Sequence, residues 1–279
     1  MTDRVLGFLG VGLVDPDVPH LRADDLGVLR GDGCFESLRL RATGELDDLE
    51  LHLRRLARSS AALDLPPTDP AAWRELVAEM VAAWDGPGEG VVRLVVTRGL
   101  GEGTPPTAYA HLFPISDRQL RERRDGIAAI TLSRGLTADA TVEAPWLLGG
   151  VKAISYAVNM AALRYAHAAG ADDVVFVSAD GQLLEAPTAN VVWLSGGVLR
   201  TPPPGPLGLL DGVTVRRLFA ADTGLGTETQ RGTVEDLRAA DGVWLLSSIR
   251  LAAAVTSLDG KPVAFDPEAD AKVRAACGE

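Results

Sequence analysis

The sequence predicts an α+β protein of two domains, 1–116 and 126–279, joined by a linker over 117–125. Three observations carry this. The chain has 279 residues and is 47% hydrophobic, enough for one or two sizeable cores. Period-two apolar runs alternate with stretches of helical spacing along its whole length. The segment SDRQLRERRD at 116–125 is strongly charged, lacks glycine and proline, and separates one set of strands from the next.

Composition excludes several classes of function. The formal charge is −11, with an isoelectric point near 4.9. Nucleic acids and anionic membranes need a basic face, so neither is expected as a partner. A small anionic substrate needs only a few local arginines. Two cysteines, Cys34 and Cys277, make no disulfide framework. No leader and no long apolar run stand out, so a cytoplasmic protein is expected. No metal site is expected.

In chain order, residues 4–14 read as an opening strand and turn. Arg30-Gly31-Asp32-Gly33 is a turn signal, and CFESLRL follows as a strand. Its alternation puts Cys34, Glu36 and Leu38 on one face and Phe35, Ser37 and Arg39 on the other. Glu36 reads either as a solvated strand charge or as a buried one needing partners. A helix covers about 50–63, with a stripe of Leu49, Leu53, Leu56 and Leu63. His52 and Arg55 are neighbours on one face of it and, taken alone, read as solvated. Asp69 and Pro70 fit the N-cap and first position of the next helix. Its Trp73, Leu76, Val77, Met80, Val81 and Trp84 mark core or subunit interface. Strands follow at 91–97 and 108–115 with a loop between, and 127–132 opens a new sheet.

The stretch 150–190 organises the rest. Lys152 sits among small and apolar residues directly before a helical pattern that places Tyr156, Met160 and Leu163 on one face and ends at Gly170. An apolar run at 174–177, a turn at Asp180-Gly181 and a second run ending at Glu185 read as a hairpin. Taken alone, Lys152 reads as a snorkelling surface lysine and Glu185 as a solvated strand end. A lysine amine that condenses with an aldehyde, paired with a carboxylate that keeps a pyridine nitrogen protonated, is the chemistry of pyridoxal phosphate. Beyond Glu185, strands are expected at 190–194, 198–201 and 243–246. A rigid loop is expected at 202–206 and a helix from Val213 to about Asp222. Thr233 and Asp236 outline a capping box. Asp266-Pro267 starts a C-terminal helix.

The segments RGDGCFESLRL, HLRRL, VVTRG, VKAISYAVNMAALRYA, LLEAPTANVVWL, LRTPP and LLDGVTVRRL resemble, in order, those of the class IV aminotransferases, the fold-type IV pyridoxal phosphate enzymes. Within that family the chain is most similar to the actinobacterial 4-amino-4-deoxychorismate lyases. The resemblance implies a smaller N-terminal α/β domain and a larger, β-barrel-like C-terminal domain with helices. It implies the cofactor pyridoxal 5'-phosphate between them and a homodimer acting on a small-molecule amine. By the same resemblance Lys152 bonds the cofactor aldehyde, and Glu185 faces the ring nitrogen. Arg55, Val213, Thr214 and Ser248 hold the phosphate, and Tyr156 orients the lysine. Phe35, Arg98 and Arg250 lie toward the substrate, although Arg250 read by itself is equally a solvated residue.

The implied activity is aminodeoxychorismate lysis to 4-aminobenzoate and pyruvate for folate biosynthesis. The alternative is amino acid transamination, with branched-chain donors ahead of D-amino acids. One departure bears on this. D-amino acid aminotransferases carry an arginine and a histidine shortly after the glycine matching Gly99, and many of the lyases carry Arg-Gly-Tyr. Here Gly101-Glu102-Gly103-Thr104 and two prolines stand instead. That removes most of the support for the D-amino acid reading and some for the lyase. A degenerate, non-catalytic member is the third reading, and the joint presence of Lys152, Glu185 and Arg55 argues against it.

Overall fold

A computed structural model describes residues 3–279. The chain divides into two compact units. The first holds the chain up to Ser116 together with Val151–Tyr156; the second holds Asp117–Gly150 and Ala157–Glu279.

The first unit contains β1 (Val5–Phe8), β2 (Gly12–Val14), α1 (Leu26–Arg30), β3 (Gly33–Leu40), α2 (Leu49–Ala62), α3 (Pro70–Ala82), β4 (Gly90–Thr97) and β5 (Thr107–Pro114). The strands form an antiparallel sheet in the order β2-β1-β5-β4-β3. One face is apolar at every second residue (Leu38 on β3, Val92, Leu94 and Val96 on β4, Leu112 on β5) and forms one core with α2 and α3. α3 starts where Asp69 accepts a hydrogen bond from the Ala71 amide at 2.8 Å, with Pro70 in the first turn. Its Trp73, Leu76, Val77 and Met80 are core residues.

The second unit contains α4 (Asp117–Asp125), β6 (Ile127–Ser133), α5 (Ala140–Glu143), α6 (Ala157–Ala168), β7 (Asp173–Val177), β8 (Asn190–Ser195), β9 (Val198–Thr201), α7 (Pro204–Leu207), α8 (Val213–Ala220), β10 (Gly226–Thr229), α9 (Val234–Arg238), β11 (Gly242–Ser247), β12 (Leu251–Leu258), β13 (Lys261–Pro262) and α10 (Pro267–Cys277). Its mixed sheet runs β10-β9-β8-β11-β12-β6-β7, with β13 on β12, and curls into a half-barrel. Alternate residues feed two cores. Val191, Trp193, Val243 and Leu245 face Leu183 and Leu237. Val192, Leu194, Trp244 and Leu246 face Leu218 of α8 and Val273 of α10. Burial on both faces explains why β11 reads as a continuous apolar run.

Several expectations are corrected. The 117–125 stretch is not a linker but helix α4, whose Glu122 and Arg123 are buried in the second unit. Strand β12, which contains the three alanines at 252–254, is a central strand too small-chained to announce itself in the sequence. The 202–206 loop contains the short α7. Helices α1 and α7 and strand β10 carry no clear pattern, being four or five residues long. α6 begins at Ala157, so Tyr156 precedes it, and the residues it buries are Ala162 and Ala166 rather than Met160 and Leu163. The 174–185 hairpin forms with its turn at Gly181 in the left-handed region, but its second arm pairs only through a bridge at Leu183 and neighbouring amides.

Candidate active site

Lys152 is positioned by its backbone. The Val151–Tyr156 segment runs along β3, the sheet's edge strand. Phe35 N donates to Lys152 O at 3.0 Å and Ile154 N to Gly33 O at 2.9 Å, with Ala153 opposite Cys34. Lys152 N donates to Ser59 Oγ of α2 at 3.2 Å. Ser155 Oγ donates to Gly31 O at 2.7 Å. Gly31 has φ 68°, and a Cβ there would stand 2.6 Å from Ser155 Oγ, so both conformation and space require glycine.

With the backbone committed, the Lys152 side chain reaches an aromatic corner. Its Nζ lies 3.4 Å from the Tyr156 hydroxyl and 4.5 Å from the Phe35 ring centroid. The two rings meet edge to face at 5.1 Å. An amine over aromatic faces is partly desolvated yet electrostatically favoured. Phe35, Lys152 and Tyr156 thus come together in the first unit.

Behind β3 lies a buried ion cluster. Glu36 is fully enclosed. It accepts from Arg55 Nε at 2.7 Å and Arg55 Nη2 at 2.8 Å, and its Oε2 lies 2.7 Å from His52 Nδ1. Burial alone would push the Glu36 carboxyl up, but Arg55 and His52 outweigh it and hold it at about 2. Of the two readings of Glu36, burial with partners is the one realised. His52 and Arg55 form an interior face of α2, not a solvated one.

Arg98 is engaged within the first unit. It pairs with Asp32 at 2.6 Å and also donates to the Leu63 and Asp64 carbonyls, bracing the turn that leads into β3. The cation that sequence reading missed is Arg93. It is exposed on the sheet face opposite the helices, its Cζ 5.7 Å from the Phe35 centroid and 5.3 Å from that of Phe113. Among the described residues it has no carboxylate partner; its hydrogen bond goes to Ser37 Oγ at 3.3 Å. The signal was an arginine interrupting VVRLVV on the same period-two face as Val91 and Val95.

In the second unit, Glu185 Oε2 accepts from the Leu210 amide at 3.1 Å and from Asn190 Nδ2 at 3.2 Å. Asn190 also donates to Leu210 O at 2.9 Å. The carboxylate is therefore fixed in direction, at a cleft of about 220 Å³ lined also by Leu209, Leu210 and Gly212. Gly212 precedes α8. A Cβ on it would fall 2.0 Å from Asn190 Oδ1, so only glycine allows this approach. α8 begins with Val213 and Thr214, both buried, and no side chain caps it. Buried first-turn amides with no side-chain cap suit an anion. Ser248, half-buried, lies in the turn between β11 and β12.

Arg250 is corrected outright. Its guanidinium is buried between Glu122 at 3.0 Å and Asp173 at 2.7 Å, so it is neither solvated nor turned to a substrate. Among the described residues, no cluster of three or more His, Cys, Asp or Glu could hold a metal ion, and no helix is long and apolar enough to cross a membrane.

An amine in an aromatic corner, an oriented carboxylate and an uncapped helix start match the needs of a phosphorylated pyridine aldehyde. The model of the class IV amino-transferases matches residues 33–258, and the chain belongs to that family. The cofactor of the family is pyridoxal 5'-phosphate. The chain is 42% identical over 269 residues, 92% of each protein, to a bifunctional aminodeoxychorismate lyase / D-amino acid transaminase of Mycobacterium tuberculosis. It is similar in structure to a fold IV-transaminase from Curtobacterium pusillum, with 40% identity, TM-score 0.93, and 99% and 97% of the two chains covered. It is also similar to a hypothetical aminotransferase from Mycobacterium tuberculosis in a form bound to α-ketoglutarate and PMP, with 42% identity, TM-score 0.92 and 98% of each chain covered.

Proposed function

We propose that this chain is a pyridoxal-phosphate-dependent 4-amino-4-deoxychorismate lyase, releasing 4-aminobenzoate and pyruvate. The amine chemistry rests on the placement of Lys152 Nζ against Tyr156 and Phe35. The choice of reaction is supported by the relative at 42% identity, whose name puts the lyase first. Lys152, Arg55, Glu185, Val213, Thr214 and Ser248 would hold the cofactor, Arg55 doing so while paired with Glu36. When bound, that cofactor supplies an electron sink that makes the proton on the amine-bearing carbon acidic. The Lys152 amine takes that proton, with the Tyr156 hydroxyl orienting it. Glu185, its direction set by Asn190 and the Leu210 amide, would keep the pyridine nitrogen of the bound cofactor protonated. Arg93 holds a substrate carboxylate, since an accessible guanidinium with no carboxylate partner among the described residues suits one. The C–O bond to the enolpyruvyl group then breaks, Lys152 returns the proton to the departing group, which leaves as pyruvate, and the ring becomes aromatic.

Transamination is the second reading. It is favoured by the Curtobacterium transaminase at 40% identity and by the other half of the Mycobacterium name. That name also brings back D-amino acids, the donors the 101–106 loop disfavoured. Cofactor-loaded protein given 4-amino-4-deoxychorismate should release 4-aminobenzoate and pyruvate in equal, catalytic amounts. Parallel samples receive D-alanine, L-leucine or L-glutamate, followed by cofactor absorbance. No release, together with conversion of the cofactor by one amino acid, replaces the lyase with a transaminase of that donor class.

A further inference from the structure

The turn between β11 and β12 carries more buried charge than a three-residue turn needs. Ser247 ends β11 opposite Leu251, and residues 248–250 make the turn. Leu251 has φ 57°, an uncommon conformation for a non-glycine residue. Something must hold it there.

Two arginines grip the turn. Arg123 Nη2 of α4 donates to Ile249 O at 2.6 Å. Arg250 Nη1 and Nη2 donate to Glu122 of α4 and Asp173 of β7. The Arg123 carbonyl in turn accepts from Arg274 Nη1 of α10 at 2.7 Å. Glu122, Arg123, Asp173 and Arg250 are all buried, none more than 8% exposed. Buried ion pairs of this kind return little net stability, because desolvation offsets attraction; what they impose is a defined geometry. The residue whose geometry they define is Ser248, immediately before the two clamped positions.

We propose that Arg123 and Arg250 are positioning residues for cofactor binding. Arg250, anchored by Glu122 and Asp173, and Arg123, paired with Glu279 at 3.5 Å, hold the 248–250 turn so that Ser248 meets the cofactor phosphate. This rests on the reading above that Ser248 belongs to the phosphate site. It assigns Arg250, removed from the substrate side, a function through its neighbour.

The test compares pyridoxal 5'-phosphate with pyridoxal, which lacks the phosphate, in absorbance titrations of the cofactor-free full chain. Arg123→Met should raise the dissociation constant for pyridoxal 5'-phosphate on the order of tenfold, the scale expected when the partner orienting a binding group is removed. Pyridoxal should bind as to the wild type. Arg123→Lys, which keeps a charged donor, should recover most of the loss. A purely structural role predicts instead a lowered melting temperature with equal effects on both ligands; equal loss, or none, overturns the proposal. Ser248→Ala separates the premise from the inference. Selective loss in Ser248→Ala with none in Arg123→Met sinks the inference alone. No selective loss in Ser248→Ala sinks the phosphate reading of Ser248 itself. Arg250→Met should behave like Arg123→Met; where it does not fold, Arg123→Met carries the test because it leaves both Arg250 pairs intact.

Discussion

Lys152→Ala should abolish turnover while leaving the melting temperature within a few degrees of the wild type. The segment is held by main-chain bonds to Phe35, Gly33 and Ser59, which the substitution keeps. Wild-type turnover in that variant would remove Lys152 from the chemistry. Arg93→Met should raise KM for a carboxylate-bearing substrate by tenfold or more, since hydrogen bonds to charged groups contribute about 1.5–3 kcal/mol. It should cost no more than about 1 kcal/mol of stability, the scale of its contacts with the Phe35 and Phe113 rings, because Arg93 pairs with no carboxylate among the described residues. An unchanged KM would return Arg93 to the status of a surface residue. Glu36 is different in kind. Its carboxyl is lowered from 4.5 to about 2, so the stability it contributes is present above pH 4.5 and lost as pH falls toward 2. The amount is on the order of 3 kcal/mol. Acid titration of unfolding should show this loss, and Glu36→Gln should abolish that part of the pH dependence while being less stable at neutral pH, because Arg55 is left buried without its counter-charge.

At the scale of elements, α8 and the Asn190–Glu185 contact form one unit of geometry. Gly212→Ala places a Cβ 2.0 Å from Asn190 Oδ1, so Asn190 must move and Glu185 loses a donor. The expected result is weaker cofactor retention on dialysis with α8 intact by circular dichroism; full retention would show that Glu185 does not need Asn190. Elements with strong local signals were legible from sequence. α3 announced itself by Asp69-Pro70 and its stripe, α9 by the Thr233/Asp236 box, and β4 and β11 by their apolar runs. Those that failed lacked local signal. β12 opens on Leu251 and three alanines and owes its strand to pairing with β11 and β6. The start of α6 is set by the Val151–Tyr156 segment pairing with β3, which keeps Tyr156 out of the helix.

For the whole molecule, the family resemblance implies a homodimer, so light scattering should give a mass twice 29.3 kDa; a monomer would overturn it. An active monomer would also remove any need for a partner's residues at the site. The excess of acidic residues forecasts no affinity for nucleic acid, and a gel-shift assay at low salt should show none. The sequence by itself determined the family, the cofactor, and the identities of Lys152, Glu185 and Arg55 as candidates, because these reside in contiguous motifs whose residue types the chemistry demands. Only the tertiary structure shows which arginines already hold a counter-charge. Arg55, Arg98 and Arg250 are paired with Glu36, Asp32, and Glu122 and Asp173, while Arg93 meets no carboxylate among the described residues. Whether a charge is spent or available depends on its distance to counter-charges far away in the chain: Arg250 lies 77 residues from Asp173 and 128 from Glu122. No local pattern encodes that distance, because it is set by sheet pairing and helix packing.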